Sequence, residues 1–222
     1  MQFSYEFAQG AQITVGWGLF LLFVLIAIWQ APWRALINVT YRQHALMVAL
    51  VVLCLLWSFR FEVMPGLHFH PFLITTVTLV FGWSFCLLVG ALTMVILAAV
   101  GSGIWQTLPL DWLFTVLIPA SITLALLNAL RWVPTRNLFV YLLGLGFFGT
   151  LFTTLVNCCL LLLFFYSVYP TGVAEKLWQH FEFVVPLLYS EGFINGMLVT
   201  SITVFKPDLV KTFDDERFLK SD

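Results

Sequence analysis

Long apolar runs alternate with short polar connections along this chain, and the runs set the expected elements. Ile13 to Trp29, His44 to Phe59, Leu110 to Leu130, Asn137 to Val168 and Phe183 to Phe205 are of the length needed for membrane helices, given that about 20 apolar residues cross some 30 Å of hydrocarbon. A further stretch, Pro71 to Val100, is too long for one untilted span. Gly82-Trp83 near its centre offers a helix break and an aromatic that favours the interface, so the pattern predicts two short helices there. The expectation is all-α: a polytopic membrane helix bundle of about seven transmembrane helices, with residues 1–205 as one bundle and 206–222 as a short charged cytoplasmic tail.

Basic residues orient the bundle, because cytoplasmic loops near the spans collect Lys and Arg. Seven spans with the N-terminus outside put Arg34, Arg42, Arg131, Arg136, Lys206, Lys211, Arg217 and Lys220 inside, leaving Arg60 and Lys176 outside. A six-span arrangement with both termini inside gives seven basic residues in and three out, so seven spans is preferred. Glu6, Glu62, Asp111, Glu175 and Glu182 then fall on the outer side with His68, His70 and His180, and His44 on the inner.

Composition removes several function classes. With 61% hydrophobic and 9% charged residues the chain is not a soluble domain, and it reads as an integral multi-pass membrane protein, with the plasma (inner) membrane as its expected location. A net charge of -1 supplies no basic face for nucleic acid. Cys54, Cys86, Cys158 and Cys159 all lie in apolar runs and read as packing residues. The first apolar run has no basic flank before it and no small-residue cleavage site after it, so it is expected to remain as a span. Serine-nucleophile motifs, phosphate-binding loops, HExxH and dinucleotide turns are missing, so catalysis has no positive support in the sequence.

Three features carry candidate chemistry. Within the last span, Glu191-Gly192-Phe193-Ile194-Asn195-Gly196 puts a carboxylate at a depth where insertion costs roughly 3 kcal/mol. Glu191 and Asn195 share one helix face and Gly192 and Gly196 the adjoining one, which fits interhelical glue or a polar lining that changes protonation during transport. Ahead of Pro71, Leu67-His68-Phe69-His70 is expected to be extended, so that both imidazoles project to one side. That pair fits a nickel, cobalt, copper or zinc contact completed by Glu62, Glu6, the N-terminal amine or backbone, or else histidines at the headgroup level that bind nothing. Gly144, Gly146 and Gly149 read as close helix packing, and Asp111, just before Trp112, as a helix cap.

Taken in order, these strings resemble the CbiM/NikM family, the membrane substrate-binding (permease) subunits of energy-coupling-factor cobalt and nickel transporters. Pro65-Gly66, then His70, then the run to Gly82-Trp83 is similar to that family's histidine loop, short helix and Gly-Pro-Trp turn. Gly101-x-Gly103 is similar to its glycine turn, and Glu191-Gly192-x-Ile194-Asn195-Gly196 with Lys206-Pro207-Asp208-Leu209 to its last span and exit. The resemblance implies a transported nickel or cobalt ion, an energy-coupling transmembrane subunit and ATPase subunits as partners, and no cofactor or catalytic residue. It also implies an N-terminus folded inward to help coordinate the metal with a loop histidine, which His70 matches. Where the family begins Met-His-Ile-Pro-Asp-Gly, this chain begins Met1-Gln2-Phe3-Ser4-Tyr5-Glu6, so His68 is the residue available to replace the lost nitrogen. The other expectation is a non-transporting membrane interaction or assembly protein that keeps the fold. A haem protein fits worse, because His44 lies at the opposite membrane face from the other histidines.

Overall fold

A computed structural model describes residues 1–4, 10–133, 137–169 and 171–213. Glu6, Arg136, Arg217 and Lys220 lie outside the described residues. In chain order the elements are β1 (Gln2–Phe3), α1 (Ala11–Gln30), α2 (Trp33–Ile37), α3 (Thr40–Ser58), β2 (Phe61–Met64), β3 (Leu67–Phe69), α4 (Ile74–Phe81) and α5 (Trp83–Ala99). There follow α6 (Leu108–Trp132), α7 (Leu138–Val168), α8 (Thr171–Gln179) and α9 (Val184–Phe205). Both α6 and α7 contain a widened π-helical stretch, Leu113–Leu117 and Leu142–Phe148. Among the described residues α1, α3, α6 and α7 are long and apolar enough to cross a membrane, while α5, at 17 residues, is shorter. The stretch Pro71 to Val100 is broken at Gly82, whose φ of 85° favours glycine. The short helices α2 and α8 and the strands are additions to the picture drawn from hydropathy.

The chain forms two compact units. The first, Met1–Phe72 with Trp83–Ile118, holds α1, α2, α3, α5, the start of α6 and a three-stranded antiparallel sheet in the order β1-β3-β2. A turn at Pro65-Gly66, with Gly66 at φ 85°, joins β2 to β3, and the Ser4 amide donates to the Gly66 carbonyl at 2.7 Å, fastening the N-terminal strand. Phe3, Leu67 and Phe69 are buried. In contrast, α1 and α3 bury few of their side chains, as expected for helices apolar all round that face lipid. Gly90 on α5 lies so close to α6 that a Cβ there would sit 2.6 Å and 2.7 Å from the two methyl groups of Val116, a stiff β-branched side chain. Gly90→Ala is therefore expected to cost about 1–3 kcal/mol by overpacking, read as a lowered unfolding midpoint in detergent.

The second unit, Leu73–Gly82 with Pro119–Asp222, is built around α4. With eight residues this helix is about 12 Å long, and residues at both its ends are buried, so the polar backbone groups there need partners from protein. At its start, Leu73 adopts φ 57° and ψ 9°, a left-handed conformation uncommon for a bulky residue. The Leu73 amide donates to Glu191 Oε2 at 3.4 Å, and the Thr76 amide and hydroxyl donate to Asn195 Oδ1 at 2.9 and 2.7 Å. Asn195 Nδ2 in turn donates to Glu191 Oε2 at 2.9 Å and to the Glu191 carbonyl at 2.8 Å. At its end, the Lys211 and Thr212 amides donate to the Val80 and Leu79 carbonyls at 2.9 and 3.3 Å. The Thr212 hydroxyl adds a second bond to Leu79 at 2.7 Å. Residues of the tail up to Phe213 are thus part of this unit. Gly196 and Gly192 let α9 close on α7: a Cβ at Gly196 would lie 3.1 Å from Phe147 Cβ, and one at Gly192 2.7 Å from Leu151 Cδ2. Of the three glycines on α7, Gly146 faces α9 at Val199 and Gly196, Gly149 sits over the Gly144 carbonyl, and Gly144 meets only Val140 of its own helix.

Candidate functional site

The N-terminal strand carries Met1 into the interior of the first unit. Met1 is fully buried, and its amine lies 2.8 Å from His70 Nε2 and 2.7 Å from Thr115 Oγ1. An ammonium only donates, so His70 Nε2 accepts; the ring proton is then on Nδ1, which donates to the Pro71 carbonyl at 3.2 Å. Burial first, and the Met1 ammonium second, hold His70 well below the usual imidazole value, so the ring stays neutral. Trp57 lies over the ring at 5.1 Å and Phe72 meets it edge-on at 5.9 Å. The result is a neutral imidazole, fixed in one tautomer, whose Nε2 lone pair points at the amine.

Helix α6 grips the strand that delivers this amine. Thr115 accepts from the amine and donates back to the Met1 carbonyl at 3.1 Å, while Asp111 Oδ1 accepts the Phe3 amide at 2.8 Å. Asp111 Oδ2 accepts the Thr107 hydroxyl at 2.9 Å. Asp111 is accordingly not a helix cap: the helix starts at Leu108 after Thr107, which leaves Asp111 inside the first turn with its carboxylate turned to the N-terminal strand. Arg60 donates from Nε to the Trp57 carbonyl at 3.0 Å and from its terminal nitrogen to the Ser102 carbonyl. Its burial lowers it from the usual arginine value and the Asp111 carboxylate opposes that shift. Met1, Gln2, Trp57, Arg60, His70 and Asp111 help line a cavity of about 20 Å³ open to the centre of a water-sized sphere, room for about one water or ion.

The histidines chosen from sequence take different positions. His70 meets the amine, whereas His68 sits half-buried in the middle strand, opposite Gln2 on one side and Glu62 on the other. No three His, Cys, Asp or Glu side chains converge as a ligand set among the described residues. Glu191, Asn195, Gly192 and Gly196 belong to the second unit, where their contacts join α9 to α4 and α7. Sequence reading missed the grip of Asp111 and Thr115 on the N-terminal strand. Their separation by one helical turn in an otherwise apolar run is the signal that could have found it.

Residues 6–209 match the family of the cobalt uptake substrate-specific transmembrane region, CbiM. No curated protein matches the chain. The match covers nearly all of the sequence, and the long apolar helices agree with a multi-pass protein integral to the membrane. On that evidence the chain belongs to the CbiM family, a family of cobalt uptake membrane components.

Proposed function

We propose that this chain is the membrane substrate-binding subunit of an energy-coupling-factor ABC transporter, accepting a divalent cobalt or nickel ion at the outer face. Seven spans, an outer N-terminus and a cytoplasmic C-terminus accompany this reading, as do separate energy-coupling and ATPase subunits. The observation that carries it is the buried amine of Met1 at 2.8 Å from His70 Nε2. Two nitrogen donors converge there beside a cavity of ionic size, and nitrogen donors suit cobalt and nickel better than magnesium or calcium. The amine must shed its proton to bind a cation, and the His70 ring is already neutral. Pro71 orients the ring through Nδ1, in the manner of outer partners that fix ligating histidines. Thr115 and Asp111 hold the strand so that the amine stays in place when its proton leaves.

Gln2 favours a second reading, a non-transporting membrane interaction protein that keeps the bundle, because an amide stands where the resemblance leads one to expect a histidine. Titration of the purified protein with cobalt(II) and nickel(II), combined with recovery of its natural complex, separates the two. Binding of either ion together with co-purifying ATPase subunits is the expected result. A protein that binds neither ion and brings down no ATPase subunit would decide for the interaction protein.

A further inference from the structure

We propose that Glu62 and His68 form an outer loading site that receives a divalent transition-metal ion and hands it to the Met1–His70 pair; this rests on the metal-binding reading above. The sheet register carries the inference. His68 is paired directly with Gln2 on β1 and with Glu62 on β2. Residues directly opposed in antiparallel strands project to the same face with Cβ atoms about 4.5–5.5 Å apart, so the three side chains form one row about 10 Å long across the sheet. Exposure falls along that row: Glu62 is exposed, His68 half-buried and Gln2 buried. Gln2, at the inner end, is itself one of the residues lining the cavity beside Met1 and His70. The row therefore runs from solvent to the site without leaving one strand face.

Charge explains why such a station is useful. Around the cavity the Met1 ammonium and Arg60 place two positive groups against the single carboxylate of Asp111. A dication arriving alone meets repulsion before it reaches a donor. Glu62 puts a carboxylate at the exposed end, its Oε1 oriented by the Gly66 amide at 3.2 Å, and His68 adds an imidazole next to it. One carboxylate oxygen and one imidazole nitrogen suit cobalt, nickel or zinc. Two donors hold the ion weakly, which is what a site that must release its ion inward requires. The transfer exchanges ligands only: the ion leaves Glu62 and His68 for the amine and His70, and the proton displaced from the amine goes to water.

The test is stopped-flow binding of cobalt(II) to the full chain, followed by quenching of tryptophan fluorescence, with Trp57 sitting 5.1 Å from the His70 ring. Glu62→Gln, His68→Gln and the double variant are compared with the unaltered protein. Expected is an association rate about tenfold lower in the double variant, the size of a modest electrostatic focusing effect. The dissociation rate should fall in the same proportion, so that equilibrium affinity is unchanged and the variant is shown to be folded. Unaltered association rates would overturn the loading site. So would lost affinity arising from faster dissociation alone, which would make His68 a resident ligand. Failure of the unaltered protein to bind either cobalt(II) or nickel(II) at equilibrium would instead overturn the metal-binding reading, and this inference with it.

Discussion

Asn195→Leu should destabilise the protein by about 2.5–6 kcal/mol, from a buried Thr76 amide left without its acceptor at about 1–3 kcal/mol and a hydrogen bond lost to the Glu191 carboxylate at about 1.5–3 kcal/mol. Leucine is close to asparagine in size and fits an apolar helix, so the loss isolates the hydrogen bonds rather than the packing. The Thr76 amide loses its acceptor, and the Glu191 carboxylate loses the Asn195 amide while keeping the Leu73 amide; both groups are buried in the second unit. Asn195→Asp keeps the acceptor for Thr76 but sets a carboxylate against that of Glu191, and should also be poorly tolerated. Glu191→Gln, by contrast, retains a carbonyl oxygen for the Leu73 amide and the Asn195 amide, and should remain within about 1 kcal/mol of the original. Unfolding midpoints in detergent for these three variants supply the check. If Glu191→Gln folds normally yet abolishes transport by the reassembled complex, the carboxylate has a role in charge movement beyond anchoring α4.

His70→Ala is the second large effect, and it acts on cargo binding. Outer partners of metal ligands are worth roughly 10–100-fold in affinity, so removal of one of the two inner nitrogens is expected to exceed ~100-fold for cobalt(II). The same variant leaves the buried Met1 ammonium without its imidazole acceptor, which adds a stability loss. A second alteration separates the two consequences: residues added ahead of Met1 leave His70 intact but turn the amine into an amide too large for the cavity. Calorimetric titration of both proteins should show binding lost in each, although the extended chain still carries His70. Retained affinity in the extended protein would exclude the amine as a ligand.

The long helices were legible because length and apolarity are the whole requirement for crossing hydrocarbon, and the break at Gly82 because glycine tolerates the positive φ found there. Glu191 and Asn195 were also legible as a pair, since a spacing of four stacks them on one helix face. What they hold was not: their target, the start of α4, lies 118 and 119 residues away in sequence, and no local pattern reports a contact at that distance. The sheet was hidden for a similar reason. A two-residue strand has no period to detect, and β1 becomes a strand only by meeting β3. His68 and His70 were picked out together by their spacing, but the ladder ends at Phe69 and His70 turns to the amine while His68 stays in register with Gln2 and Glu62. Asp111 misled because an acidic residue near a helix start usually serves that helix, whereas here it serves a strand from the other end of the sequence unit.

The capping of α4 has a consequence for biosynthesis. Thr76 leaves the ribosome 119 residues ahead of Asn195, which at about 5–20 residues per second is about 6–24 s. Through that interval the Leu73 and Thr76 amides lack the acceptors that α9 later supplies, so an insertase or translocon that shelters this segment is expected to raise the yield of functional protein. Slowing translation downstream of Gly82 should lengthen the exposure and increase degradation of the unfinished chain.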